Sequence, residues 1–134
     1  MKADKQGMLP RRAKKGDAGY DIFAPKRMVV TRQWQTFDLG FRFEEGDIPE
    51  GYVAIVAPRS STGSKMGLHL RNTIGIIDSG YRDNVLATMA VDGDEAVFEE
   101  GSRPLQFILV PCGVIKGEIP PEEERAGGYG SSGL

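Results

Sequence analysis

The sequence predicts an all-β fold, a sandwich or barrel of short antiparallel strands that ends in a Gly/Ser-rich tail. Its 18 glycines and 8 prolines are spread through the chain, and this punctuation leaves few stretches long enough for an ordinary helix. Between the breaks, apolar residues recur at every second position, which is the period of a half-buried strand. Short strands at this spacing indicate a sandwich or barrel.

The clearest alternation lies in residues 37–43, where Phe37, Leu39, Phe41 and Phe43 are separated by polar or small residues. This pattern predicts one half-buried strand. Four further segments rich in β-branched or bulky apolar residues are also predicted to be strands. They are residues 52–57, 85–91, 105–110 and 114–119.

Two segments depart from the strand pattern. Residues 58–67 are polar and lie between apolar strands, so we expect a loop that contains a helical turn. Residues 125–134 contain little that can be buried, so we expect a mobile arm. A length of 134 residues fits one domain. The predicted organisation is a β domain over residues 1–124 and the arm over 125–134.

Composition excludes several classes of protein. The net charge is −2, whereas a protein that binds duplex nucleic acid usually carries a clear basic excess. Cys112 is the only cysteine, so no internal disulfide can form, which suits a reducing compartment. No window approaches the roughly 20 apolar residues of a membrane span. The N-terminal 15 residues lack a signal-peptide pattern, and we expect a cytoplasmic protein.

The loop at residues 58–67 is a candidate phosphate site. It combines Arg59 and Lys65 with the hydroxyls of Ser60 and Ser61, and phosphate oxygens favour such donors. The spacing of a Walker loop is absent. From composition alone, a solvated connection is an equal alternative.

Asp78 is a candidate general base. It follows a branched apolar pair and precedes a turn and Tyr81, so a hairpin here would hold the carboxylate beside an aromatic ring. A partly dehydrated carboxylate can accept a proton from water. The alternative is a turn aspartate that satisfies local amides.

Two weaker signals lie near the chain ends. Asp17 and Asp21 flank three residues, and such carboxylates bind hard cations directly or through water. In the tail, Arg125 and Tyr129 lie among glycines, where they could clamp a charged planar ligand. An unstructured end is the alternative.

Taken in order, these segments resemble the five motifs of the trimeric dUTPase family, as a bacterial or phage-encoded member. The five are DAGYDI at 17–22, PRSS at 58–61, Asn72 with GIIDSGYR at 75–82, RPLQF at 103–107 and GGYGSSG at 127–133. The resemblance implies a jelly-roll-like fold of the β-clip type and a homotrimer in which three subunits build each active site. Asp83 stands where the family usually has glycine, and the Arg125 segment is one residue shorter than usual.

The resemblance implies that dUTP is hydrolysed to dUMP and pyrophosphate, which limits uracil in DNA and supplies dUMP for dTMP synthesis. Asp78 would activate a water for in-line attack on the α-phosphorus, and Gln106 would help to hold that water. Tyr81 would pack against the deoxyribose. Arg59 would contact the phosphates, and Arg103 would support the site.

The same resemblance assigns the remaining ligand contacts. Ser60 and Ser61 would bind phosphate, and backbone groups of the 72–77 hairpin would read the uracil edge. The hairpin contacts would come from Asn72, Gly75 and Ile77, and the contacts of the tail from Arg125, Tyr129, Gly130, Ser131 and Ser132. Tyr129 would stack on uracil while the arginine and the serines grip the γ-phosphate. Mg²⁺ would bind to the triphosphate, and Asp21 would contact the ion through a water molecule.

Two other functions are weighed against this one. A dCTP deaminase shares the Arg-Ser-Ser loop but needs a glutamate near the position of Thr88. A phage-encoded dUTPase-like protein could instead dock a regulatory protein partner, and an inserted segment between motifs would indicate that role. No large insertion is present.

Overall fold

A computed structural model describes residues 1–122 of the chain. It contains short strands and one helical turn of five residues, which confirms the all-β prediction. The strands are β1 (Lys2–Ala3), β2 (Tyr20–Ile22), β3 (Met28–Thr31), β4 (Gln35–Asp38), β5 (Phe41–Arg42), β6 (Tyr52–Pro58), β7 (Leu68–Leu70), β8 (Gly75–Ile77), β9 (Leu86–Val91), β10 (Glu95–Phe98) and β11 (Leu105–Pro111).

The strands form two main sheets and two small ones. A four-stranded sheet has the order β2-β11-β6-β8, and a three-stranded sheet has the order β4-β9-β7. The pairs β1-β5 and β10-β3 complete the layers, and the pairings are antiparallel. This is the jelly-roll-like sandwich that the resemblance implied.

An aromatic cluster fills the core between the layers. Phe107 stacks on Tyr20 with ring centroids 4.9 Å apart and meets the edge of Phe43 at 5.0 Å. Phe41 packs edge-on against Phe43 at 5.5 Å. Such pairs contribute about 0.5–1.5 kcal/mol each beyond the area that they bury. The cluster fixes β11 and β2, which carry site residues on their other face.

Two predicted strands differ from the observed ones. Residues 37–43 form parts of β4 and β5, interrupted by Gly40 at a φ of 73°. Any Cβ at Gly40 would lie 2.7 Å from Pro25, so the chain turns at a residue that only glycine fits. Residues 114–119 form no strand in the described part of the chain, and Val114 and Ile119 are 81% and 93% exposed. Gly117 interrupts this segment at a φ of 79°, and the Glu118 amide donates to the Ile115 carbonyl at 3.1 Å, so the chain turns here and pairs with no strand within residues 1–122.

The polar loop contains the expected helical turn, over Ser61–Lys65, between β6 and β7. Within residues 1–122 no helix has the length and apolar character needed to cross a membrane.

Candidate active site

A cleft of about 340 Å³ opens beside the end of β6, on the face of the four-stranded sheet that points away from the core. Segments far apart in the sequence build it, and all of the lining residues except Ala13 belong to candidate motifs. The lining residues are Ala13, Asp17, Ala18, Gly19, Asp21, Arg59, Ser60 and Gln106. The structure thus brings together the first, second and fourth of the five motifs.

Asp21 lies between two arginines at the base of this cleft. One carboxylate oxygen is 3.1 Å from Nε of Arg59, and the other is 3.0 Å from Nη1 of Arg103. Asp21 is only 7% exposed, so water screens these ion pairs less than it would at the surface. This group of one acidic and two basic side chains carries one net positive charge, and the exposed carboxylate of Asp17, which lines the same cleft, balances it.

Backbone contacts hold the two arginine-bearing segments together. Nη1 of Arg59 donates to the carbonyl of Arg103 at 3.1 Å. The hydroxyl of Thr62 lies 2.6 Å from the Pro104 carbonyl and 3.0 Å from the Arg59 carbonyl. No pattern in the sequence singles out Thr62, which is buried at 6% exposure. A threonine within a loop of serines and glycines carries no signal that its hydroxyl ties two motifs together.

Gln106 faces the same cleft. It lies opposite Asp21 in the register of β2 and β11 and opposite Ala57 in that of β6 and β11. Its Nε2 donates to the Pro58 carbonyl at 3.3 Å. Since an amide nitrogen must face a carbonyl oxygen, this bond sets the orientation of the amide and turns Oε1 toward Gly19.

The two serines of the second motif begin the helical turn. Ser60 and Ser61 are both exposed, and Ser60 lines the cleft next to Arg59. Exposed hydroxyls beside an arginine can donate to an anion that the guanidinium group also binds. The arrangement can therefore hold phosphate groups.

The third motif lies elsewhere in the same chain. Asp78 is exposed and follows β8, where its carbonyl accepts a hydrogen bond from the Tyr81 amide at 3.1 Å. Tyr81 is buried, and its hydroxyl donates to the Asn84 carbonyl at 2.9 Å. Nη1 of Arg82 donates to two carbonyls of this turn, at 2.8 and 3.0 Å. The side chains of Tyr81 and Arg82 therefore stabilise this turn through hydrogen bonds to backbone carbonyls.

Residues 72–77 are not a hairpin, contrary to the prediction. β7 pairs with β9, whereas β8 pairs with β6, so the connection passes from one sheet to the other. Asn72 is exposed in this connection, Gly75 is half-buried and Ile77 is buried. Turn signals read along the chain could not distinguish a hairpin from a crossing between sheets.

Register places Asp78 far from Gln106 within one chain. Ile77 lies opposite Ala54 on β6, whereas Gln106 lies opposite Ala57. Asp78 therefore lies four positions along β6 from Gln106, which is about 13 Å. Because β6 separates β8 from β11, the two backbones are roughly 16 Å apart. Two side chains and one water molecule cannot span that distance.

The fifth motif lies outside the described residues. Its predicted ligand contacts, Arg125, Tyr129, Gly130, Ser131 and Ser132, all fall after residue 122.

Comparison with known proteins gives the family of the chain's relatives. The family model described as dUTPase matches residues 5–133. A deoxyuridine 5'-triphosphate nucleotidohydrolase of Rhizobium etli is 38% identical, with 96% of this chain and 79% of the relative covered. The enzyme of the same name from Hydrogenobaculum sp. is 33% identical, covering 94% of this chain and 90% of the relative.

Solved structures agree with these relatives. The chain is similar to a crystal structure of dUTPase from Streptococcus mutans, with a TM-score of 0.71 and 27% identity over 84% of this chain and 92% of that one. It is also similar in fold to the dUTPase of Staphylococcus bacteriophage 80alpha, with a TM-score of 0.75, 24% identity and coverage of 93% and 96%.

Proposed function

The chain belongs to the dUTPase family and hydrolyses dUTP to dUMP and pyrophosphate, and from that premise we propose which residues carry out the reaction. The Asp78 carboxylate is the general base, and Gln106 holds the attacking water. Arg59, Ser60 and Ser61 bind the phosphates. The observation that supports this assignment best is the cleft itself, in which the Arg59 guanidinium and the Ser60 hydroxyl lie beside the Gln106 amide.

In this mechanism the Gln106 amide oxygen accepts a hydrogen bond from the water, and Asp78 takes a proton from it. The water oxygen bonds to the α-phosphorus as the bond from that phosphorus to the bridging oxygen breaks. dUMP and pyrophosphate leave, and Asp78 returns the proton to solvent. A general base contributes about 10²–10⁴-fold, and positive groups around the phosphates supply much of the remainder.

We propose that each site is shared between chains, in a homotrimer. The roughly 16 Å between Asp78 and Gln106 supports this, because one chain cannot place both on the same water. Asp78 follows Ile76 by two positions, and Ile76, Ile55 and Ile108 lie side by side in register. Ile76 is 63% exposed.

This row of isoleucines makes an apolar face that continues from the cleft, because Ile55 and Ala57 are two positions apart on β6. A neighbouring copy covering that face would bury apolar surface and bring its Asp78 toward Gln106. A third chain would contribute residues 125–134 as the closing arm. There Tyr129 and Gly130 would cover the uracil while Arg125, Ser131 and Ser132 hold the γ-phosphate.

Mg²⁺ is the proposed metal. Within residues 1–122, no group of three or more acidic, histidine or cysteine side chains forms a cage. Mg²⁺ typically uses one or two carboxylates together with substrate phosphates, and Asp21 and Asp17 both line the cleft. Asp21 would reach the ion through water, because both of its oxygens already pair with arginines. When bound, the ion neutralises charge on the phosphate oxygens.

Base and sugar recognition is assigned to the third motif. Backbone groups at Gly75 and Ile77, with Asn72, would read the uracil edge, and fixed donors and acceptors reject cytosine because it leaves them unpaired. Tyr81 would pack beneath the deoxyribose. At the position where the deaminase alternative needs a glutamate, the hydroxyl of Thr88 instead shares a hydrogen bond of 2.7 Å with that of Thr36.

The test is pyrophosphate release from dUTP, dCTP, dTTP and UTP, with and without Mg²⁺. We expect dUTP to be preferred and Mg²⁺ to be required. Asp78→Asn should keep nucleotide binding and lose about 10²-fold or more in kcat, whereas Asp83→Asn, an exposed carboxylate in the same turn, should remain active. Normal turnover by Asp78→Asn would remove Asp78 from its role.

A further inference from the structure

Gly19 stands where the side chain of Gln106 needs room. Asp21 and Gln106 are cross-strand neighbours on β2 and β11, and Gly19 lies two positions before Asp21, on the same face. Gln106 is therefore the diagonal neighbour of position 19, within reach of a long side chain. A Cβ at Gly19 would lie 2.1 Å from Oε1 of Gln106 and 3.1 Å from its Cδ.

The backbone of Gly19 does not itself require glycine. Its φ lies outside the left-handed region, unlike Gly16 three residues earlier, where φ is 95°. The atom nearest to an added methyl group is the far end of a flexible side chain, and no backbone atom is among the three nearest neighbours. An alanine could therefore be accommodated by the fold, and the cost would fall on the position of the Gln106 amide.

The nitrogen of the Gln106 amide is held in place as well. Its Nε2 donates to the Pro58 carbonyl at 3.3 Å, so the amide spans from Pro58 to Gly19, with Oε1 directly above the glycine. A methyl group at position 19 would push Oε1 away and rotate the amide off Pro58.

We propose that Gly19 is a positioning residue for hydrolysis: the space left by its missing side chain seats the Gln106 amide oxygen that holds the attacking water. This inference rests on the proposed role of Gln106. Gly19 lines the cleft and has no side chain to take part in the reaction. It would act only through Gln106, and this dependence can be measured.

The experiment is a double-mutant cycle on dUTP hydrolysis with Gly19→Ala, Gln106→Ala and the double variant. Losing a hydrogen bond to a reacting group lowers kcat by roughly 10- to 100-fold, and we expect this loss in all three variants. The double variant should be no slower than Gln106→Ala alone, because the methyl group has no amide left to displace. KM for dUTP should change less than kcat.

Gly93→Ala is the matched control. Gly93 also lies outside the left-handed region, and an added Cβ would meet no atom within 4 Å, so kcat should equal that of the wild type. The melting temperature of Gly19→Ala should stay close to that of the wild type. A crystal structure of Gly19→Ala should show the Gln106 amide displaced from Pro58 with both Asp21 ion pairs retained.

The outcomes separate the two hypotheses. If Gln106→Ala turns over normally, the proposed role of Gln106 fails and the inference fails with it. If Gln106→Ala is slow but Gly19→Ala is fast, or if their losses multiply, Gly19 is not a positioning residue and the proposed function stands. A large fall in the melting temperature of Gly19→Ala would make Gly19 a structural residue and would overturn the inference.

Discussion

The Asp21 carboxylate provides the sharpest test of what holds the cleft together. Asp21→Asn keeps the shape of the side chain but removes its charge. The asparagine oxygen can still accept from one guanidinium, while its NH₂ group faces the other, donor against donor. The two arginines at 3.0 and 3.1 Å then lose their shared counter-ion.

The expected cost follows from the exposure of the three side chains. Breaking a fully buried ion pair costs about 3–5 kcal/mol, whereas an exposed pair contributes about 0–1 kcal/mol. The Asp21 side chain is 9% exposed, but Arg59 and Arg103 are 30% and 41% exposed and keep much of their hydration. We therefore expect a loss of about 2 kcal/mol, which lowers the melting temperature by roughly 6–10 °C for a chain of this length.

The assay is thermal unfolding at one protein concentration, because the proposed trimer would make the melting temperature depend on concentration. Asp17→Asn is the control, since Asp17 is an exposed carboxylate in the same cleft whose Oδ2 accepts from the Lys14 amide at 3.0 Å, a bond that asparagine can keep. It should change stability by less than about 0.5 kcal/mol. If Asp21→Asn were no less stable than Asp17→Asn, the ion pairs would not be what holds the arginines.

Three further predictions concern other parts of the molecule. Thr62→Val should cost about 1–2 kcal/mol in thermal unfolding, because it removes the hydroxyl that lies 2.6 Å from the Pro104 carbonyl, and Thr62→Ser should cost less. Burial alone would raise the pKa of the Asp47 carboxyl, but the N-terminal ammonium of Met1 and the Glu44 amide bind it and lower that pKa. The stability that Asp47 contributes should therefore be complete between about pH 4 and neutral pH and lost at lower pH. The free energies of unfolding of Asp47→Asn and wild type, measured by urea titration, should converge in acid, and a constant difference would contradict this. Deleting residues 125–134 should abolish most dUTP hydrolysis, while sedimentation should still show a folded oligomer. Full activity would mean that the arm does not close the active site.

The sequence predicted β11 and β6 well, because both are apolar runs between breaks, and burial of Leu105 and Phe107 matches their alternation. Residues 114–119 also contain β-branched residues, at 114, 115 and 119, but Lys116, Gly117 and Glu118 interrupt them, and the segment forms no strand within the described chain. Propensity describes what a segment can form, whereas a strand also needs an edge to pair with. Whether such an edge is available depends on the folded molecule and cannot be inferred from the segment alone.

The candidate site shows the same limit. The order of the motifs identified Arg59, Asp21 and Gln106, but their contacts depend on pairing between distant strands. Asp21 and Arg103 are 82 positions apart in sequence, and the room that Gly19 leaves for Gln106 becomes visible only when β2 and β11 are in register. Local patterns identify the residue types that chemistry needs, and tertiary structure decides which of them meet.

The distance between Asp78 and Gln106 has a genetic consequence. If one chain supplies the base and its neighbour supplies the amide that holds the water, the two substitutions Asp78→Asn and Gln106→Ala damage different halves of a site. Chains that carry one substitution each are then impaired alone but complement one another when they assemble together, since some mixed sites contain neither change. A chain that carries both substitutions damages two sites instead of one, so mixing it with normal chains should lower activity more than mixing in the same amount of either single variant.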